Sequence, residues 1–205
     1  MLLLDDNGTR KARFSDHPYA LDYASYLDTT GFGRGSDAPQ PTKGWGTRLG
    51  LENGNDFSGL NRLGGRAWLD TTARLGVTTS WDHFQERLPG GGTDELVLGD
   101  LMLTWRFAQA EWMQMHAGLG GRGLFDRYRV RGGFNFLYSA DVFPIEPLVL
   151  SSSVEVGHLN EAFTLRLRAS AGVQWKHAEA FVGYDWLRIG GADLHGPMAG
   201  LRLWF

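Results

Sequence analysis

Residues 163–176, FTLRLRASAGVQWK, alternate without a break. Phe163, Leu165, Leu167, Ala169, Ala171, Val173 and Trp175 fall on one side, and Thr164, Arg166, Arg168, Ser170, Gly172, Gln174 and Lys176 on the other. Successive side chains of a β-strand point to opposite faces, so this strand has one wholly apolar face and one that carries three cations. Strands in globular proteins usually run to about 5–6 residues. Fourteen residues of strict alternation match a tilted strand that crosses a bilayer.

The same two-residue period recurs along the chain. It predicts ten strands, over residues 45–53, 60–70, 74–86, 96–107, 112–125, 129–142, 148–157, 163–176, 179–189 and 197–205. Turn-forming clusters such as NGNDFSG, LPGGGTDE, FPIEP and GGADLHG separate them. Connections this short demand antiparallel neighbours. Loops on the side away from the termini are expected to span about 5–8 residues, too short for a large receptor surface. In lipid each unsatisfied edge group would cost several kcal/mol, so the sheet has to close. The expected fold is therefore all-β, a closed antiparallel up-and-down transmembrane β-barrel of about ten strands; merging or splitting one hairpin gives eight or twelve.

The barrel is expected over residues 44–205. Residues 1–43 do not alternate and hold Pro18, Pro39 and Pro41. They read as a periplasmic tail or as a plug that folds into the lumen, with one short helix over 17–28 that places Tyr19, Tyr23 and Leu27 on one face.

A hydrophobic content of 42% looks ordinary because a barrel spends only every second residue on lipid. No run approaches the ~18 consecutive apolar residues of a membrane helix. Glycine at 29 residues and tryptophan at eight are both high, which suits a curved wall with aromatic ends. The absence of cysteine excludes a disulfide frame, a thiolate metal site and a cysteine nucleophile. A net charge of -3 gives no basic footprint for nucleic acid. The start, MLLLDDNGTRK, lacks the apolar core of about 7–15 residues of a secretory signal, so the expectation is that an export signal has already been removed.

Trp45, Trp68, Trp105, Trp112, Trp175 and Trp204 lie close to turns or ends on the terminus side, and Trp81 and Trp186 toward the other rim. This split predicts an aromatic girdle, in which Trp45, Trp105, Trp112, Trp175, Trp186 and Phe205 are the expected outward members. The final LRLWF resembles the C-terminal signature of bacterial outer-membrane barrels, whose last Phe is read by the assembly machinery. GFNFLYSADVFPIEP, and GYDWLRIGG through GPMAGLRLWF, are similar to a group of small bacterial outer-membrane proteins. That resemblance implies an outer-membrane location, with outer-membrane lipid and, during biogenesis, the barrel assembly machinery as partners. It implies no activity.

With lipid on the apolar face, the inward face is expected to hold Arg48, Arg62, Arg66, Arg74, Arg106, Arg122, Arg129, Arg131, Arg166, Arg168, Lys176 and Arg202. Facing them are Glu52, Asp70, Asp82, Glu86, Asp100, Asp141, Glu155 and Asp185, with His116 in the same network. Twelve cations against eight acids in a narrow tube must pair or stay hydrated. Two roles follow: an envelope structural protein stiffened by ion pairs, or a narrow, partly plugged pore biased toward small anionic solutes by its excess of arginine.

The alternative is a rim hydrolase acting on lipid or peptide. Its candidates are Asp82, His83, Glu86, His158, Glu161, Asp193 and His195, although the motifs of omptin-like proteases and of lipid A deacylases are missing. No cofactor is expected. His17, His83, His116, His158, His177 and His195 are scattered without metal-ligand spacing. A soluble lipocalin-like barrel would reverse the faces, with the apolar set inside.

Overall fold

The computed structural model describes residues 45–57, 59–71, 73–87, 92–110, 112–126 and 129–205; the tail or plug expected over 1–43 lies outside them. Ten strands form one antiparallel sheet that closes on itself: β1 (Trp45–Asn55), β2 (Leu60–Thr71), β3 (Leu75–Arg87), β4 (Thr93–Ala110), β5 (Met113–Asp126), β6 (Val130–Val142), β7 (Leu148–Leu159), β8 (Ala162–Trp175), β9 (Ala178–Ile189) and β10 (Ala192–Trp204). Each strand pairs with its sequence neighbours, and β1 pairs with β10 from Arg48↔Trp204 to Gly54↔Met198. Reciprocal bonds of 2.9 Å between Thr47 and Phe205 extend that seam at the terminus end. No sheet edge is left to be satisfied.

The alternation decides the faces as expected. On β8, Thr164, Arg166, Arg168 and Gln174 are buried inside while Phe163, Leu167, Val173 and Trp175 are exposed on the outer wall. A barrel with reversed faces is thereby excluded, since the charges are within and the large apolar side chains without.

Several expected limits move. β4 runs to eighteen residues because TDE, expected in a turn, pairs with β3, and AQA, which lies beyond the expected strand, pairs with β5. A bulge makes this extension compatible with the faces. Arg106 pairs with His116 and Ala108 with Met115, so Phe107 is extra and packs outward against Tyr138, ring centres 5.2 Å apart. β10 likewise starts at Ala192, leaving Gly190 and Gly191 as the whole β9–β10 loop. The β7–β8 loop is only Asn160 and Glu161. Asn160 and Gly190 open these loops at φ 53° and 58°, conformations that Asn and Gly accept readily. These loops at the end away from the termini are therefore shorter than the sequence suggested.

At that far end an apolar cluster of Phe84, Leu98, Leu124, Leu159 and Leu187 fills the lumen, with Leu60, Leu96, Ile189 and Leu194 packed around it. These are inward positions of five different strands, so the charged face of the wall turns apolar over its last turn of barrel.

Two adjacent glycines on β6 separate inner crowding from outer space. A Cβ on the inward Gly133 would lie 1.6 Å from the backbone oxygen of His158, whereas one on the outward Gly132 would meet nothing within 4 Å. Gly133→Val is expected to abolish the compact species that migrates anomalously on a denaturing gel without heating. Gly132→Val is expected to retain it. Equal behaviour of the two variants would contradict the assignment of faces.

Candidate functional site

The strand register stacks the inward charges into levels beneath the apolar cluster. Arg166 donates to both oxygens of Asp185, at 2.9 and 2.7 Å, and to Asp82 at 2.6 Å. Arg62 reaches Asp185, Asp82 and Glu52, the last at 3.0 Å. Arg168 donates to Glu52 at 2.6 Å. On the other side of the lumen Arg122 donates to Asp100 through Nε at 2.7 Å and also to Glu155, while Asn135 and Ser80 donate to Asp100 at 3.0 and 3.2 Å. Arg66 lies between the two groups, 3.6, 3.7 and 4.0 Å from Glu52, Asp82 and Glu155. Strands β1 through β9 all contribute a member, so the network ties opposite walls together.

A second level lies toward the termini. Arg48 donates to Asp141 at 2.8 Å and is held between the rings of Trp68 and Trp204, 4.9 and 4.8 Å from their centres. Arg202 donates to Glu179 at 2.8 Å, to Ser170 at 2.9 Å and to Ser151 at 3.2 Å, over the ring of Phe181. Trp204 Nε1 donates to the other oxygen of Glu179 at 3.0 Å. His116 is bonded to Asp70 at 3.0 Å and meets Trp68 edge-on, and Arg106 donates to the Thr71 carbonyl at 3.2 Å.

Sixteen of the expected network residues thus stand in the two levels: Arg48, Glu52, Arg62, Arg66, Asp70, Asp82, Asp100, Arg106, His116, Arg122, Asp141, Glu155, Arg166, Arg168, Asp185 and Arg202. Others are placed elsewhere. Arg74 sits half-buried in the β2–β3 turn at φ 65°, where its carbonyl accepts from Arg106 N. Lys176 is exposed in the β8–β9 turn over the ring of Trp175. Arg129 precedes β6 and is exposed, Glu86 is exposed near the end of β3, and Arg131 is half-exposed at the far end of β6. All five were expected in the lumen, but a two-residue period carries no information once the chain enters a turn or the rim.

Glu179, buried on β9, is the member that the sequence reading passed over. Its parity with Asp185 was the available signal. Among the described residues the two levels hold eight arginines (Arg48, Arg62, Arg66, Arg106, Arg122, Arg166, Arg168, Arg202) against eight acids (Glu52, Asp70, Asp82, Asp100, Asp141, Glu155, Glu179, Asp185). The expected excess of four is gone.

Trp45, Trp105, Trp112, Trp175 and Phe205 are exposed on the outer wall at the terminus end, and Trp186 is half-buried outside under Arg188. Trp68 and Trp204 are not part of that outer set. Both face inward, as the even parity of Asp70 and Arg202 on their strands requires.

The rim candidates do not converge. Asp82 is 1% exposed, deep in the ion-paired level. His83, His158 and His195 point outward from β3, β7 and β10, where His83 lies 3.7 Å from Glu95, His158 meets Phe163 edge-on, and His195 Nδ1 is 2.9 Å from the Tyr184 hydroxyl. Asp193 is engaged by Arg188 through two bonds of 2.8 Å, and Glu161 is exposed in its loop.

Inside the barrel, on the terminus side of the Arg62–Asp185 level, a cavity of about 90 Å³ of room for water lies among Arg48, Arg66, Arg168 and Arg202. Near the apolar cluster a pit of about 20 Å³ lies beside Arg62 and Phe84.

No family model and no curated protein matches the chain. Among solved structures, CdiB from Acinetobacter baumannii is similar over 75% of this chain and 40% of its own length, at 10% identity and a TM-score of 0.38. The chain thus spans less than half of that protein.

Removing one partner of a buried ion pair leaves the other charge uncompensated, a loss of about 3–5 kcal/mol. Arg166→Met takes from Asp82 and Asp185 their best-placed cation, leaving Arg62 shared between them, and is expected to lower stability by about the lower end of that range in urea unfolding. Arg188→Ala, on the exposed outer pair with Asp193, should leave the unfolding midpoint where it was.

Proposed function

We propose that this protein spans the bacterial outer membrane as a sealed barrel and serves as a structural element of the envelope, with outer-membrane lipid as its main partner. The membrane part of this reading rests on the outer wall. Leu63, Leu101, Val130, Val173 and Leu201 are 59, 62, 71, 56 and 61% exposed, on β2, β4, β6, β8 and β10, every second strand around the circumference. An apolar band of this continuity is far larger than the patches that soluble monomers expose. Strands of eleven to eighteen residues reach or exceed the ~9–11 that a tilted membrane strand needs.

The observation that carries the sealed state is the double closure of the lumen. A ten-stranded cylinder lies between eight strands, which side chains fill, and sixteen, which leave a channel. Here the apolar cluster spans the far end and the arginine–carboxylate level spans the cross-section beneath it. The near balance of inward charge also removes the main reason to expect an anion-biased pore. A rim hydrolase would need its candidate residues gathered in one place, whereas His83, His158 and His195 point outward from three separate strands and Asp82 is buried in the ion-paired level.

Planar-bilayer recording of the refolded full chain is the direct test. Silence is expected across the voltage range that the bilayer tolerates. Steady conductance steps biased toward anions would replace this reading with the pore.

A further inference from the structure

The cavity on the terminus side is unusually rich in donors. Four guanidinium groups, those of Arg48, Arg66, Arg168 and Arg202, border it, against three carboxylates, Glu52, Asp141 and Glu155. Three of the cations are committed: Arg48 to Asp141, Arg168 to Glu52 and Arg202 to Glu179. Arg66 is different. Its three carboxylate neighbours stand 3.6–4.0 Å away, beyond a good hydrogen bond, and its Nε and Nη2 have no acceptor among the described residues.

Two further buried donors around the same space lack a hydrogen-bond acceptor, Arg168 Nη1, which stands 3.5 Å from Asp185, and the Ser139 hydroxyl. Ser151 and Ser170 already serve Arg202 and fix its head at the cavity wall. Buried donors without acceptors are costly, and a group that offers several acceptor oxygens to guanidinium forks satisfies them best. The space is enough for about six water molecules or for one compact anion with part of its hydration. It is too small for a lipid headgroup with its chains.

We infer that this cavity is a binding site for a single small oxyanion of the size of sulfate or inorganic phosphate, with Arg66 as its principal ligand and Arg168 Nη1 and Ser139 Oγ as further donors. The site is a blind chamber: the Arg62–Asp185 level and the apolar cluster stand between it and the far end. It therefore holds an anion without conducting one, and it goes beyond the structural role proposed above.

Isothermal titration of the full chain, refolded in detergent micelles, with sodium sulfate and with sodium chloride at matched ionic strength tests this. One saturable sulfate per chain is expected and no such isotherm with chloride. Arg66→Gln should weaken sulfate by about tenfold or more, while Arg131→Gln, at the far end of β6, should bind as the parent does. Ser139→Ala keeps every charge, should give a smaller loss, and decides the matter if Arg66→Gln does not fold. Sulfate heats indistinguishable from those of chloride would show that the cavity holds water alone and overturn the inference. Undiminished binding in the foldable variants would overturn it as well. A conducting barrel with a normal sulfate isotherm would sink the sealed state and leave the anion site standing.

Discussion

Closing the sheet forces a choice on every strand residue, because with all backbone groups bonded to neighbouring strands a side chain can only point out of the cylinder or into it. The outside takes the apolar set. The inside is then the sole destination for the charges, in a space narrow enough that Arg106, Arg122 and Arg166 are at most 2% exposed. Isolated ions there would be prohibitively costly, so the interior is organised by the need to give each one a partner. Arginine suits that need better than lysine, since a planar fork can serve two carboxylates at once; Arg166, bound to Asp185 along one edge and to Asp82 by the remaining nitrogen, does this across β8, β9 and β3.

Room for these heads comes from glycine. A Cβ on Gly64 would fall 2.6 Å from Asp82 and 2.9 Å from the Glu52 side chain, and one on Gly172 only 2.3 Å from Glu179. The high glycine content, which by composition alone suggests only curvature, is partly a consequence of packing long cations and their acids inside ten strands. The aromatic residues show a similar division of labour. Outside, Trp81 lies flat over Gly99, whose Cβ would collide with the ring at 2.7 Å. Inside, Trp68 and Trp204 sandwich Arg48 and hold it against Asp141.

Much of this was legible in the chain because a strand has only two faces. Parity alone places Arg48, Arg62, Arg166, Arg168 and Asp185 together, and it places Leu49, Leu101 and Val182 opposite them. Parity also assigns Trp68 and Trp204 to the interior, against the pull of their position near the ends, where tryptophan usually marks a membrane boundary. Proximity to a turn was the weaker signal. What the period could not supply was where it stops: Arg74, Arg129 and Lys176 continue the pattern on paper but stand in turns, and β4 and β10 run on through residues that look like turn formers. Nor could it show the plug. Leu98, Leu124 and Leu187 break the polar inner face, and in a linear reading each is merely an apolar residue beside others; only the closed geometry brings them to one level.

That apolar plug and the ionic level beneath it depend on each other. Without the plug, water entering from the far end would solvate Asp82, Asp185 and Arg166, and each pair would weaken toward the modest value of a surface salt bridge. With it, the same pairs sit at low dielectric, where satisfied networks are rigid and unsatisfied ones expensive. The cluster contributes no directional bonds and could not by itself hold ten strands in register. The ions can, since Arg62, Arg66, Arg122 and Arg166 each reach carboxylates on more than one other strand. Hydrophobic closure therefore sets the dielectric in which the cross-lumen pairs operate, and those pairs fix the circumference that lets five side chains from five strands meet at the cap.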